Sequence, residues 1–165
     1  MVIVGKSFMQ CAQVRTNPLN AWLRWIYDTM IMKHKTCAVI LKDKKFLVVR
    51  NEGRKIWTSP GGHVEEDETA EQCMMRELSE ELGFLPERME PYGELEVPSP
   101  IEPDVVMRLT FFLIKTDSDK EFQIIDPEIE ELMWVDSKYD GSKGKLIPDL
   151  SGWLMDKLVR DDLVE

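Results

Sequence analysis

A chain of 165 residues, 43% of them apolar, is long enough to bury one hydrophobic core and too short for several ordinary domains. A formal net charge of −10 with no basic stripe excludes DNA or RNA polymers as partners, though not a small nucleotide that brings its own counter-cation. Three cysteines without metal-ligand spacing point to reduced thiols in a cytoplasmic protein, and no apolar run is long enough for a signal peptide or a membrane span.

In chain order, residues 1–35 form a distinct N-terminal extension. Asn17 before Pro18 is the pattern of a helix cap followed by proline at the first helical position, and Leu19, Trp22, Leu23, Ile26 and Met30 then recur at helical spacing. An amphipathic helix is expected there. Its apolar face would pack on its own domain or, through Trp22 and Trp25, form a homodimer contact, whereas its polar side lacks the Lys and Arg that an anionic membrane attracts.

The main domain is expected over 36–165, starting with strands at 36–42 and 45–50 joined by a hairpin turn at Asp43 and Lys44. Pro60, Gly61 and Gly62 are a breaker cluster that lets backbone approach a ligand closely. A helix follows, with Asp67 or Thr69 as cap, Glu68 and Glu71 at its positive end and Gly83 to stop it in a left-handed conformation. Cys73, Met74, Met75, Leu78 and Leu82 supply its apolar stripe. Strands are then expected at 92–97, 105–115 and 129–136, the second with Val105, Met107, Leu109, Phe111 and Leu113 on one face. A closing helix over 147–160 has Pro148 early in it.

The acids of the middle helix carry the chemistry. Glu81 lies four residues after Glu77 and Glu80 three after it, so one side of the helix presents all three. Like charges so placed repel by roughly 0.2–0.5 kcal/mol per pair, and a divalent cation would turn that repulsion into attraction. Oxygen donors favour magnesium, manganese or calcium over zinc or copper. Glu-rich amphipathic helices are also commonly no more than solvated faces, so the acids need the surrounding motif to decide between the two.

That motif is complete. The segment from Gly62 to Phe84 resembles the Nudix box, G-x5-E-x7-R-E-U-x-E-E-x-G-U, at every defined position: Gly62, Glu68, Arg76, Glu77, Leu78, Glu80, Glu81, Gly83 and Phe84. Trp57 and the Pro60, Gly61, Gly62 cluster are similar to the usual surroundings of that box. The resemblance extends over about residues 36–160 and implies the Nudix fold, an α/β architecture with a mixed β-sheet between α-helices.

By the same resemblance, the Gly61 carbonyl, Glu77, Glu80 and Glu81 would hold Mg2+, with Mn2+ as a substitute, and Arg76 would pair with Glu68 and Glu77. Glu128, six residues before Trp134, matches the position of a base or extra metal ligand in many members, with Glu130 and Glu131 as neighbours that could replace it. Trp57, Gly62, His63 and Trp134 are the candidates to touch substrate, and Phe112 and Trp153 are further candidates to stack on a base. Gly62, Glu68, Leu78, Gly83 and Phe84 would shape the motif. The expected activity is pyrophosphohydrolysis of a nucleoside diphosphate derivative, a nucleoside triphosphate first as in MutT-like members. An ADP-ribose or nucleotide-sugar substrate is the alternative, suggested by Pro98, Ser99 and Pro100. A binding module of the same fold, without catalysis, is the alternative from another class.

Overall fold

The structure, a computed structural model, describes residues 31–99, 102, 104–116 and 121–165. The helix expected before residue 31, with Trp22 and Trp25, lies outside the described residues. Contacts divide the chain into two units, Met1–Lys33 with Pro98–Met107, and His34–Val97 with Arg108–Glu165. Within the described part of the first, Ile31 N donates to Asp104 O, Ser99 N to Val105 O, and Lys33 pairs with Glu102 at 2.6 Å.

A five-stranded sheet runs in the order β4-β5-β1-β2-β6, from β1 (Ile31–Lys42), β2 (Lys45–Asn51), β4 (Glu90–Pro98), β5 (Val105–Lys115) and β6 (Ile129–Val135). Two short parallel strands, β3 (Ile56–Trp57) and β7 (Lys145–Leu146), stand beside it. The hairpin expected at Asp43 and Lys44 is present, with both residues at positive φ and Leu41 opposite Phe46. β1 starts at Ile31, earlier than the expected Thr36, so the last residues assigned to the extension are strand.

Helix α1 (Ala70–Leu82) has Thr69 as its N-cap, not Asp67. The Thr69 hydroxyl accepts from Gln72 N while the Gln72 side chain accepts from Thr69 N, a reciprocal capping box of a kind worth about 0.5–2 kcal/mol. Gly83 ends the helix at φ 57°, where its N–H reaches Ser79 O and Phe84 N reaches Leu78 O. The buried side of α1, Met74, Leu78 and Leu82, packs on Ala38, Ile40, Leu47, Phe112 and Ile114. Truncating Leu78 to alanine in such a core costs about 2–5 kcal/mol.

One apolar face was expected for β5, and two are present. Phe112 and Ile114 face α1, while Phe111 meets Trp153 of the closing helix at 5.2 Å between ring centroids. A strand inside a sheet covered on both sides has no solvent face, which is why alternation misleads there. The closing helix begins with a π-helical turn, Leu150–Leu154, and continues as α2 (Met155–Arg160). Among the described residues no helix is long and apolar enough to cross a membrane.

Candidate active site

The site lies where the Pro60, Gly61, Gly62 loop crosses α1. Ala38 N donates to Pro60 O and Thr36 N to Gly62 O, so β1 holds this loop on both sides of Gly61. Gly61 has φ 129°, and a Cβ on it would fall 2.3 Å from Thr36 O. A Cβ on Gly62 would fall 2.0 Å from Glu77 Oε1. Only glycine lets the two chains come this close. Cys73 Sγ lies beneath, 3.3 Å from both Thr36 Oγ1 and His63 O.

Arg76 organises the acids. Its Nη2 and Nε donate to Glu68 at 2.7 and 3.2 Å, its Nη1 to Glu77 at 2.7 Å and to Glu80 at 3.2 Å, and Nη2 also to His63 O at 3.2 Å. The hydrogen bonds from Arg76, joined by one from Glu65 N–H, hold the Glu68 carboxyl down at about 2. The Arg76 guanidinium is in turn raised, first by Glu68. Glu68 and Glu77 are largely covered, whereas the Glu80 side chain is 59% exposed.

Glu81, one turn after Glu77 on the same side of α1, accepts from Gly61 N at 2.9 Å. Burial pushes its carboxyl up to about 7, the charges of Glu77 and Asp126 add to this, and Gly61 N–H and Lys35 act against it. Of the three acids expected on one side, Glu77 and Glu80 bond to Arg76 and Glu81 to the Gly61 amide. Among the described residues no three His, Cys, Asp or Glu converge as a preformed metal site.

Several substrate candidates sit elsewhere than expected. Trp57 is fully buried, with Nε1 donating to Lys143 O at 2.9 Å and Arg50 5.3 Å from the ring centroid, so it offers no face to a base. Phe112 is core. Trp134 lines an open cleft of about 340 Å³ with Phe122 and Lys42, the last 5.8 Å from its ring centroid. His63 is exposed and bridged to Lys35 through its backbone, and Phe84 packs edge-on against Phe122 at 5.0 Å.

Glu128 is exposed, its N–H donating to Asp126 Oδ1 and its carbonyl accepting from Glu52 N. From the same loop the charge of Asp126 acts on Glu81, and Ile125 N and Asp126 N bond back to Glu81 O. Glu130 and Glu131 are occupied by Arg50, at 3.1 and 2.7 Å. Sequence reasoning did not single out Asp126, Lys35 or Arg50. Asp126 opens the same acidic segment as Glu128, but no spacing rule marks the other two.

A family model for the NUDIX domain matches residues 32–138. The chain belongs to the Nudix hydrolase family. Phosphatase NudJ of Escherichia coli K12 is 34% identical to it over 113 residues, 66% of this chain and 72% of that protein. In structure this Nudix chain is similar to the Escherichia coli ORF135 protein, with TM-score 0.63 and 24% identity over 81% of this chain and 92% of the other. It is also similar to a MutT protein of Bacillus halodurans, with TM-score 0.62 and 19% identity over 80% and 85%. At such identities the structural likeness shows the Nudix fold, an α/β sheet with helices, and nothing finer.

Nudix hydrolases act on phosphoric anhydrides of small nucleotides with a divalent cation, and this chain has that class of activity. The residues present fit such a cation by their donor chemistry. Glu77 and Glu81 bring carboxylate oxygens to Gly62 and Gly61, and Glu81, though half-buried, has no ion pair among the described residues.

Proposed function

We propose that this Nudix hydrolase is a magnesium-dependent pyrophosphohydrolase of nucleoside diphosphate derivatives, with nucleoside triphosphates as the first substrate class. The observation that carries the reading is the meeting of acids and glycine loop: Glu77 against Gly62 and Glu81 bonded to Gly61 N, with Arg76 holding Glu68, Glu77 and Glu80. Oxygen donors and a strongly acidic surround favour magnesium, and manganese as its substitute, over softer metals.

Glu77, Glu80, Glu81 and the Gly61 carbonyl would hold the cation, and Glu128 is the candidate for a further ligand. When bound, it supplies positive charge to the phosphate oxygens and acidifies a coordinated water. Arg76 keeps Glu77 in a fixed orientation through a planar, charge-assisted pair, so that carboxylate need not be ordered during the reaction. The Gly61 N–H does the same for Glu81. A carboxylate from the loop before β6, Glu128 or its neighbour Asp126, would take the proton of the attacking water. Gly62 and exposed His63 border the phosphate path, and Trp134 is retained as a base contact only through its open cleft beside Phe122. The relation to a phosphatase supports phosphate release as the readout.

The test is a phosphate-release screen with magnesium over nucleoside triphosphates, coupled to inorganic pyrophosphatase, and over ADP-ribose, nucleotide sugars and dinucleoside polyphosphates, coupled to a phosphomonoesterase, with products identified by mass. Triphosphates should be turned over, water splitting each into the nucleoside monophosphate and inorganic pyrophosphate. Preference for ADP-ribose or a nucleotide sugar would replace the substrate class, and metal-independent release equal in Glu81→Gln would remove the proposal.

A further inference from the structure

Arg50 stands outside the acid cluster of α1, at the end of β2, where the register with β6 shifts between Arg50 and Asn51. Its Nη2 donates to Glu131 at 2.7 Å, and its Nη1 donates to Arg54 O and pairs with Glu130, both at 3.1 Å. The guanidinium carbon lies 5.3 Å from the Trp57 ring centroid. Nε is buried and has no hydrogen-bond partner among the described residues.

These contacts join two pieces of the site. Trp57 ends β3, directly before the stretch that leads into Gly61 and Gly62, and it is locked by its own bond to Lys143 O. Glu130 and Glu131 open β6, directly after the segment that carries Asp126 and Glu128. Among the described residues that segment is bonded by its backbone to Glu81 O at one end and to Glu52 N at the other. An ion pair kept only for surface stability would not need a side chain 20% exposed with one N–H desolvated and unpaired. A planar fork with several fixed donors suits placement, because reacting groups must be held to within about 0.5 Å.

We propose that Arg50 is a positioning residue, whose guanidinium fixes the segment 126–128 relative to the Gly61 and Gly62 loop. It acts through Asp126 and Glu128 and touches neither substrate nor cation. The inference rests on the hydrolytic reading of the acid cluster, and its test separates the two.

Arg50→Lys and Arg50→Met are compared with the full-length wild type, using magnesium with dGTP, ATP and ADP-ribose as probes, together with amide hydrogen exchange. Either variant should lower kcat at least about 10-fold with KM within about 3-fold. Lysine should not rescue, since it keeps the charge and loses the fork. Exchange at Glu52, Glu128 and Ile129 should speed up at least about 10-fold while the α1 amides stay protected. Glu131→Gln, which removes only a partner of Arg50, should give a smaller loss of kcat. Unchanged exchange in both variants overturns the inference, as does a kcat loss that merely follows the unfolded fraction, or a Glu131→Gln loss larger than that of Arg50→Met, which would make Glu131 itself the base. A wild type silent on every probe counts against the hydrolytic reading, and exchange alone then decides whether Arg50 ties the segment.

Discussion

Gly62 and Glu77 are in contact so close that a Cβ on Gly62 would fall 2.2 Å from the carboxylate carbon of Glu77. The neighbouring Gly61 meets the backbone of Thr36 instead, at 2.3 Å, and has φ 129°. The two glycines therefore fail differently when replaced. Gly62→Ala meets only the far end of the Glu77 side chain, which gives way by loosening its pair with Arg76, so it should melt within a few degrees of wild type while turnover falls at least about 10-fold. Gly61→Ala meets backbone in a conformation that side chains rarely adopt, and should lose about 1–3 kcal/mol of stability as well. Thermal melts set beside kcat for both variants check the contrast. Equal melting temperatures for the pair would contradict it.

Glu81→Gln should remain folded, because the amide oxygen can still accept from Gly61 N. Turnover should drop by orders of magnitude, since one charged oxygen donor is gone. Kinetics in saturating magnesium, with circular dichroism for the fold, measure both. Activity within a few-fold of wild type would remove Glu81 from the cation site.

Among the described residues, Arg76 is the one cation paired with Glu68, Glu77 and Glu80. Arg76→Gln leaves the covered Glu68 and Glu77 without their charged partner, at a cost of about 1–3 kcal/mol. For a chain of this size that lowers Tm by roughly 2–4 °C per kcal/mol. Arg76→Lys should recover part of the stability and little of the activity, because one ammonium cannot hold two carboxylates in the plane of a fork. Full recovery of kcat by lysine would show that charge alone matters there.

Glu68 gives the fold an acid-sensitive contribution. Its carboxyl is held at about 2 by Arg76 and the Glu65 N–H, below an unperturbed value of 4.5. A group depressed in the folded state stabilises the fold above its unfolded value and loses that contribution as pH falls through the folded one. The Tm gap between wild type and Glu68→Gln should therefore be steady above about pH 5 and close as pH falls from about 4.5 towards 2. Calorimetry across that range reads it directly, and a gap still open to its full width at pH 2.5 would mean that Glu68 is not the group responsible.

Asp126 and Glu128 compete for one role. Asp126 acts on Glu81 and accepts the Glu128 N–H, whereas the Glu128 side chain is exposed. If Glu128 is the base, Glu128→Gln should reduce kcat about 100-fold or more at unchanged KM, and Asp126→Asn should act more weakly through the loop. The reverse order would assign proton transfer to Asp126. Neither variant should alter the melting of α1, which draws its stability from Leu78 and Leu82.

How much of this was legible beforehand depends on the range of the forces involved. The spacing from Gly62 to Phe84 carried the family, the helix and its acids, because capping, the left-handed stop at Gly83 and the i, i+4 stripe are local consequences of residue type. Thr69 rather than Asp67 as cap was decided by its reach to Gln72 N, only three residues on. The aromatic candidates were not legible. Trp57 reads as a rim residue beside a glycine loop until Arg50, on the preceding strand, covers its face and Lys143, 86 residues on, takes its N–H.

The sequence by itself determined the Nudix family, the main strands and the carboxylates, since each follows from periodicity or from a motif without gaps. Tertiary structure decided that Glu81 is half-buried against Gly61, that Arg50 takes Glu130 and Glu131, and that Asp126 lies where its charge acts on Glu81. The reason is physical. Hydrogen bonds and burial between residues 20 or more positions apart, such as Gly61 with Glu81 or Arg50 with Glu131, depend on how the sheet brings chain segments together, and no local spacing encodes that.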